Sequence, residues 1–226
     1  MINIIVSHYN ENLEWIKKLT NNNINNIYIY SKYLEQQDHN GIRKKNLNIN
    51  FNNHEYFINL NKNIIYKNIP NVGRESETYL RYCYENYDNL SLGTIFLQGE
   101  PHVDINGIYE WIDHLLLPEN KYTPNTSINT IFSGMKDGHV PMWYGKCDLS
   151  EYNCFTWLRQ YIDPELYPYH MKIYFGACFG VSKDRILSRP RDFYRNLIDK
   201  ELSTTNPEVA HFCERTWYYI FNCHKI

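Results

Sequence analysis

The chain has 226 residues, of which 43% are hydrophobic, and it carries 23 basic and 25 acidic side chains. This length favours one domain with a sizeable core over residues 1–226, and the near-neutral charge excludes nucleic acid as the main partner. No stretch approaches the roughly 20 apolar residues of a membrane span. We therefore expect a cytoplasmic protein without a membrane span.

The first hundred residues predict strands that alternate with helices. Ile2 to Tyr9 is typical of a buried strand, and Asn10 is expected to cap a helix over Glu11 to Leu19. Residues 35–53 are polar and weakly patterned, which predicts an irregular surface excursion. The other predicted elements are strands over 26–30, 57–60, 64–66 and 93–98, and a helix over 75–87.

The second half of the chain continues this alternation. Asp104 is expected to cap a helix that runs through Leu117, and Lys172 to Ser182 predicts a strand rich in small residues. The other predicted elements are strands over 128–132 and 140–144 and helices over 155–162, 191–202 and 208–221. Alternating strands and helices favour an α/β fold, namely an α/β/α sandwich with a mostly parallel central sheet.

The segment that follows the strand over 93–98 is a candidate ligand site, because open α/β sheets bind ligands beyond the carboxyl ends of their strands. Glu100, His102 and Asp104 would point to one side if the chain stayed extended. Two carboxylates and an imidazole suit manganese or a similar divalent ion. The alternative is that Asp104 only caps the next helix, His102 lies on the surface and Glu100 pairs with an arginine.

Two further candidate positions lie at junctions between elements. The motif Tyr9-Asn10-Glu11 follows the first strand, where loops of α/β proteins contact ligands, although it also fits a helix cap. Arg74 follows a turn at the start of a helix and could bind a phosphate through two hydrogen bonds. Its alternative partner is Glu75 or Glu77, in an ion pair.

The last predicted helix carries a candidate general base. His211 and Glu214 share one face of this helix, while Trp217 lies nearer its apolar stripe. A carboxylate on such a face could deprotonate a hydroxyl within hydrogen-bonding reach. The alternative is that Glu214 pairs with Arg215 or Arg185 on a solvated surface.

In this order the motifs resemble those of glycosyltransferases of the GT-A fold. Tyr9-Asn10-Glu11 is similar to the motif that lines the nucleotide pocket of inverting members, and residues 98–104 take the place of the DxD metal motif. GACFGVS over 176–182 looks like the strand behind the donor sugar, and ERTW over 214–217 resembles the motif that supplies the acceptor base. Through NVGRE, FLQG and ERTW, nearly the whole chain is also similar to an uncharacterised family found in fungal and large-virus chains.

The resemblance implies transfer of a hexose from a UDP- or GDP-sugar to a hydroxyl of a glycan or glycoconjugate, with inversion, in the cytoplasm. If the chain is viral, the activity would lie in the cytoplasm of the host cell. Glu214 would be the catalytic base, and His211 and Trp217 would support the acceptor or donor. The implied donor contacts are Tyr9, Asn10, Glu11, Arg74 and Gln98, and the implied ligands of Mn²⁺ or Mg²⁺ are Glu100, His102 and Asp104.

The sequence departs from the GT-A pattern at one position. Gln98 stands near the start of the motif, where a DxD sequence would carry its first carboxylate, so metal binding would depend on the residues that follow. Two other functions therefore stay open. One is a carbohydrate- or nucleotide-binding module without catalysis, and the other is a metal-dependent hydrolase that activates water through Glu100, His102 and Asp104.

Overall fold

The structure is a computed structural model, and it describes residues 1–32, 63–124, 128–129, 147–167, 173–174 and 177–225. The strands are β1 (Ile2–His8), β2 (Ile24–Ser31), β3 (Asn63–Asn68), β4 (Gly93–Gln98), β5 (Tyr122–Pro124), β6 (Ile128–Asn129), β7 (Ile173–Tyr174) and β8 (Phe179–Ser182). The helices are α1 (Arg74–Glu85), α2 (Ile105–Leu116), α3 (Cys154–Trp157), α4 (Lys183–Leu187), α5 (Arg191–Glu201) and α6 (Glu208–Ile220). A π-helical turn over Leu158–Ile162 continues α3, and 3₁₀ turns cover Glu14–Lys18 and Tyr87–Asn89.

Six strands form one sheet in the order β3-β2-β1-β4-β8-β5. β3, β2, β1 and β4 are parallel, whereas β8 runs antiparallel to both of its neighbours. β6 and β7 form a separate antiparallel pair. The sheet confirms the predicted α/β fold with a mostly parallel sheet, of the Rossmann-related kind.

The sheet is covered on both faces, which makes three layers. Ile4 and Val6 of β1 belong to a core cluster with residues of α2, while Ile5 belongs to a second cluster with residues of α1, α5 and α6. All seven residues of β1 are buried. Burial on both faces explains why this strand is a continuous apolar run in the sequence, without the alternation of a half-exposed strand.

The predicted helix over Glu11 to Leu19 is wrong in length and in its cap. Only the 3₁₀ turn Glu14–Lys18 forms, and the side chain of Asn10 does not cap it. Instead, the Glu11 carboxylate accepts hydrogen bonds from the backbone of Tyr9 and Asn10, which keeps the chain in a loop. The apolar spacing that suggested a longer helix is satisfied by burial of residues 13, 16 and 19.

The predicted strand over Lys172 to Ser182 is also wrong as one continuous element. Within its described residues only Ile173–Tyr174 and Phe179–Ser182 are strands, and Ala177 and Cys178 lie outside them. Two elements were not predicted, β5 and the short helix α4, and β5 is strand only through its pairing with β8.

Several predictions lie outside the described residues. These are the surface excursion over 35–53, the strands over 57–60 and 140–144, and most of the strand over 128–132. The single domain over 1–226 also stays a prediction. In the described part of the chain, no helix is both long and apolar enough to cross a membrane.

Candidate active site

The order of the parallel strands identifies one end of the sheet as the place for a ligand. The chain runs outward from β1 to β2 and β3 on one side, and then returns to place β4 on the other side of β1. Such a reversal opens a crevice beyond the carboxyl ends of the two central strands. The crevice lies where Tyr9 to Glu11 follow β1 and Gly99 follows β4, and we call this end of the sheet the carboxyl edge.

Glu11 holds the two central loops of the carboxyl edge together. Its Oε2 atom accepts hydrogen bonds from the backbone nitrogens of Tyr9, at 2.7 Å, and Asn10, at 3.1 Å. Its carboxylate lies against Gly99, whose carbonyl accepts a 2.7 Å hydrogen bond from Nε1 of Trp15. Glu11 therefore stabilises the loops after β1 and β4. The side chains of Tyr9 and Asn10 are exposed.

Gly99→Ala should displace the Glu11 carboxylate, because the added Cβ would lie 2.7 Å from Cδ of Glu11. We expect unfolding free energy to fall by about 1–3 kcal/mol, as for other overpacked sites. Chemical denaturation should show a much smaller loss when Gly99→Ala is made in a Glu11→Ala background. Equal losses in the two backgrounds would contradict the contact.

Lys32 follows β2 at the carboxyl edge and ties this edge to the start of α1. Its ammonium lies 3.0 Å from Oε2 of Glu77 and donates hydrogen bonds to the carbonyls of Val72 and Arg74. Glu77 also pairs with Arg81, at 2.5 Å. Lys32 is 4% exposed and Glu77 is fully buried, so the loop before α1 is held by a buried ion pair.

The loop before α1 has an uncommon backbone conformation that places Arg74. Gly73 and Arg74 have φ angles of 62° and 50°, in the left-handed region that favours glycine. A hydrogen bond of 2.7 Å joins the Gly73 nitrogen to the carbonyl of Thr204, and a Cβ on Gly73 would lie 2.8 Å from Cβ of Leu202. The close approach brings Arg74 beside the segment that leads into α6.

Arg74, Asn206, His211 and Glu214 form a polar chain, which we call the Arg74–Glu214 group. Oδ1 of Asn206 lies 3.5 Å from Nη1 of Arg74 and 3.3 Å from Nε2 of His211. On the other side of the imidazole, Nδ1 of His211 lies 3.9 Å from Oε2 of Glu214. Both predicted residues, Arg74 and Glu214, thus belong to one group although they are far apart in sequence.

The alternative partners of these two residues are found only in part. Nε of Arg74 lies 3.6 Å from Oε2 of Glu75, so the predicted ion pair with a neighbouring glutamate exists at a long distance. Arg185 instead donates to the carbonyl of Asn222. It is therefore not the partner of Glu214.

The environment of Glu214 keeps its carboxylate ionised. Burial acts to raise its pKa, but the nearby His211 imidazole and the charges of Arg215 and Arg74 outweigh burial, so that the pKa is lowered from 4.5. The side chain remains 28% exposed. An ionised carboxylate with partial access to solvent can accept a proton from a bound hydroxyl.

Two buried side chains, Tyr79 and Cys178, interact with carboxylates that belong to different elements. Burial is the main cause of the raised pKa of Tyr79, and the charges of Glu75, Glu214 and Glu11 add to it. Cys178 lies within the field of Glu75 and Glu214 as well, and its thiol is hydrogen-bonded to the backbone at the end of β4, at residues 98 and 102. The β1 loop, the start of α1, the end of β4 and α6 therefore converge.

The three-ligand metal site of Glu100, His102 and Asp104 stays a prediction. The chain bends at Gly99, Glu100 and His102 and is not extended, and the side chains of Glu100, His102 and Asp104 are exposed. Oδ1 of Asp104 accepts a 2.8 Å hydrogen bond from the Gly107 nitrogen, which is the helix cap of the alternative interpretation. Among the described residues, no group of three His, Cys, Asp or Glu side chains is placed to hold a metal ion.

Substitutions at Asp104 separate a helix cap from a metal ligand. Asp104→Ala should lower the unfolding free energy by about 1 kcal/mol, whereas Asp104→Asn should change it by only a few tenths, because asparagine caps helices equally well. Both values can be measured by chemical denaturation. If Mn²⁺ raises the melting temperature of the parent protein but not that of Asp104→Asn, the carboxylate is a metal ligand as well.

Trp217 lies in the core, and its role in supporting the acceptor or donor stays a prediction. It is 1% exposed, and its ring stacks on Phe179 with a centroid distance of 5.1 Å and packs 5.7 Å from Tyr79. His211 is also buried, yet it contacts Glu214. The apolar stripe assigned from the sequence is thus confirmed for Trp217, and the shared face of His211 and Glu214 is confirmed by their contact.

Sequence reasoning missed three residues of the site. Lys32 could have been found by applying the rule of the carboxyl ends to β2, as was done for β1 and β4. Asn206 and Cys178 carried no comparable signal, because their roles depend on contacts with Arg74 and with the end of β4.

The fold defines a class: a Rossmann-related α/β protein whose mostly parallel sheet reverses its strand order between β1 and β4. When the sequence is compared with protein-family models and with curated proteins, neither comparison finds a match.

Proposed function

We propose that this protein is a glycosyltransferase that transfers a hexose from a nucleotide-diphosphate sugar to a hydroxyl of a glycan or glycoconjugate. The observation that carries the proposal is that the Glu214 carboxylate, whose pKa is lowered, and Arg74 belong to one polar group, in a sheet whose strand order reverses between β1 and β4. The crevice at such a reversal is where Rossmann-related sheets bind nucleotides.

In the proposed reaction, Glu214 is the general base. It takes the proton of the acceptor hydroxyl as that oxygen bonds to the anomeric carbon of the donor, and the bond from this carbon to the diphosphate oxygen breaks. Arg74 would contact the diphosphate, on which negative charge develops. Attack opposite to the leaving diphosphate inverts the configuration of the anomeric carbon.

The charge of the crevice bears on the question of a metal. A diphosphate would meet the carboxylates of Glu75 and Glu214, and the cation assigned to it, Arg74, already lies 3.6 Å from Glu75. Repulsion of this kind is relieved when a divalent cation accompanies the donor.

The test is incubation with a panel of UDP- and GDP-sugars, each with Mn²⁺ and each with a chelator. We expect at least one donor to raise the melting temperature and to be hydrolysed slowly to the nucleoside diphosphate, because water can replace an acceptor. The free nucleoside monophosphates serve as controls for nonspecific stabilisation. If no donor changes the melting temperature or is hydrolysed, the proposal is wrong.

The pH profile of the transfer tests the state of Glu214. The pKa of this carboxyl is lowered below 4.5, so the base is ionised above that pH and is lost only as the pH falls through the lower value. We therefore expect that protonation of a carboxyl does not lower kcat/KM between pH 7 and pH 5. An ascending limb centred above pH 5 that disappears in Glu214→Gln would contradict this assignment.

A second candidate is a binding module without catalysis, and the cap role of Asp104 favours it. Because this carboxylate bonds the Gly107 nitrogen, one predicted metal ligand is already engaged. Such a module would bind a nucleotide sugar with equal affinity in the parent protein and in Glu214→Gln, with no turnover in either. The hydrolase alternative needs Glu100, His102 and Asp104 as one group, which the bent chain does not form.

A further inference from the structure

A cavity of about 240 Å³ lies outside the Arg74–Glu214 group. Its walls come from the loop over 148–152, from Tyr161, from the end of α5, and from the segment that leads into α6. None of the four residues of the Arg74–Glu214 group lines it. Because pockets for drug-sized ligands measure roughly 300–1,000 Å³, this cavity suits a smaller molecule.

Two tyrosines form an aromatic corner in this cavity. The rings of Tyr152 and Tyr161 are 6.4 Å apart between centroids and meet at 62°. The cavity is lined by Tyr152 and Tyr161 together with Asp148, Glu151, Glu201 and Lys200. Negative side chains thus outnumber positive ones around the tyrosine rings.

The pKa of the Tyr161 phenol indicates that the electrostatic potential around this side chain is negative. Its pKa is raised to about 12, first by hydrogen bonding to the Glu201 carboxylate, then by burial and by the charges of Glu201, Tyr152 and Glu151. An environment that resists a further negative charge on the phenol attracts a positive charge.

The loop that carries Tyr152 is anchored to the start of α6. The Ser150 nitrogen donates a 3.0 Å hydrogen bond to Oε2 of the buried Glu208. The Asp148 nitrogen donates to the carbonyl of Asn206 at 2.9 Å, and the Glu208 nitrogen donates back to the Asp148 carbonyl at 2.8 Å. The wall of the cavity is therefore already formed before a ligand binds, which lowers the entropy lost on binding.

We propose that this cavity binds a small organic cation that carries an alkylammonium group. The ammonium contacts the faces of Tyr152 and Tyr161, where the ring quadrupoles attract cations, and the carboxylates of Glu151 and Glu201 balance its charge. The exposed Lys200 can turn toward solvent, since its stem is flexible. This binding is independent of the proposed transferase reaction.

The experiment is a calorimetric titration of the whole protein with choline chloride, repeated with the neutral carbon isostere of choline. We expect heat of binding for choline and none for the isostere, because the two molecules differ in charge and not in shape. Tyr152→Leu and Glu201→Gln should each weaken choline binding about threefold to tenfold. Asp192→Asn, on α5 but outside the cavity, should leave it unchanged.

Loss of binding through unfolding is checked by comparing the melting temperature of Glu201→Gln with that of the control, Asp192→Asn. Glu201 is only partly buried, so we expect Glu201→Gln to fold. Three results would overturn the proposal: no binding of choline, equal binding of the isostere, or equal affinity in both cavity variants and the parent protein. Failure of the transferase assay would leave the titration unaffected, so the two proposals are tested separately.

Discussion

Lys32→Met should lower the unfolding free energy by about 3 kcal/mol, because it leaves the buried Glu77 carboxylate without one of its two cations. Burial lowers the pKa of Lys32 despite the nearby charge of Glu77, so the pair does not fully offset its own desolvation. Breaking it is still costly, since Arg81 alone then balances Glu77 and the carbonyls of Val72 and Arg74 lose a donor. Chemical denaturation measures the loss.

A matched control for this substitution is Lys67→Met. Lys67 pairs with Glu85 at 2.9 Å, but the pair is well exposed, with 39% and 29% of the two side chains accessible, so we expect a loss below about 1 kcal/mol. Replacing both buried partners, by Lys32→Met with Glu77→Leu, should recover part of the stability. If this double variant is as unstable as Lys32→Met, the lost carbonyl contacts and not the unpaired carboxylate cause the effect.

Glu214→Gln should lower the transfer rate by about 10² to 10⁴, the usual contribution of a positioned general base. Glutamine has nearly the shape of glutamate and cannot take a proton from the acceptor. The Kd of the donor should stay within about threefold of the parent value, because Glu214 is assigned to the acceptor and not to the nucleotide. Steady-state kinetics and a donor titration measure the two quantities.

The control for this variant is Glu110→Gln, an exposed carboxylate on α2 away from the crevice. It should retain the parent rate. His211→Asn tests how Glu214 is positioned, because it removes the imidazole that lies 3.9 Å from the carboxylate. We expect the pH profile of His211→Asn to shift upward, since the imidazole that helps to lower the pKa of Glu214 is lost. Parent kinetics in Glu214→Gln would contradict the assignment of the base.

Much of the fold could be predicted from local patterns, because β1 and β4 are buried on both faces and therefore read as continuous apolar runs. The cap of α2 by Asp104 was also predictable, since capping uses only neighbouring residues. β5 was not predictable. It has three residues, and it forms only because β8 supplies its hydrogen-bonding partner.

The sequence by itself determined which residues could act at the site, since side chains that follow buried parallel strands must gather at one end of the sheet. Tyr9, Glu11 and Gln98 were assigned in this way. Only the tertiary structure decided how they are used. Glu11 stabilises the loops after β1 and β4 because its carboxylate lies against Gly99. Trp217 lies in the core, where its ring stacks on Phe179. The Arg74–Glu214 group arose because Lys32 and Thr204 hold the loop before α1 against α6, a contact between segments more than a hundred residues apart that no local pattern encodes.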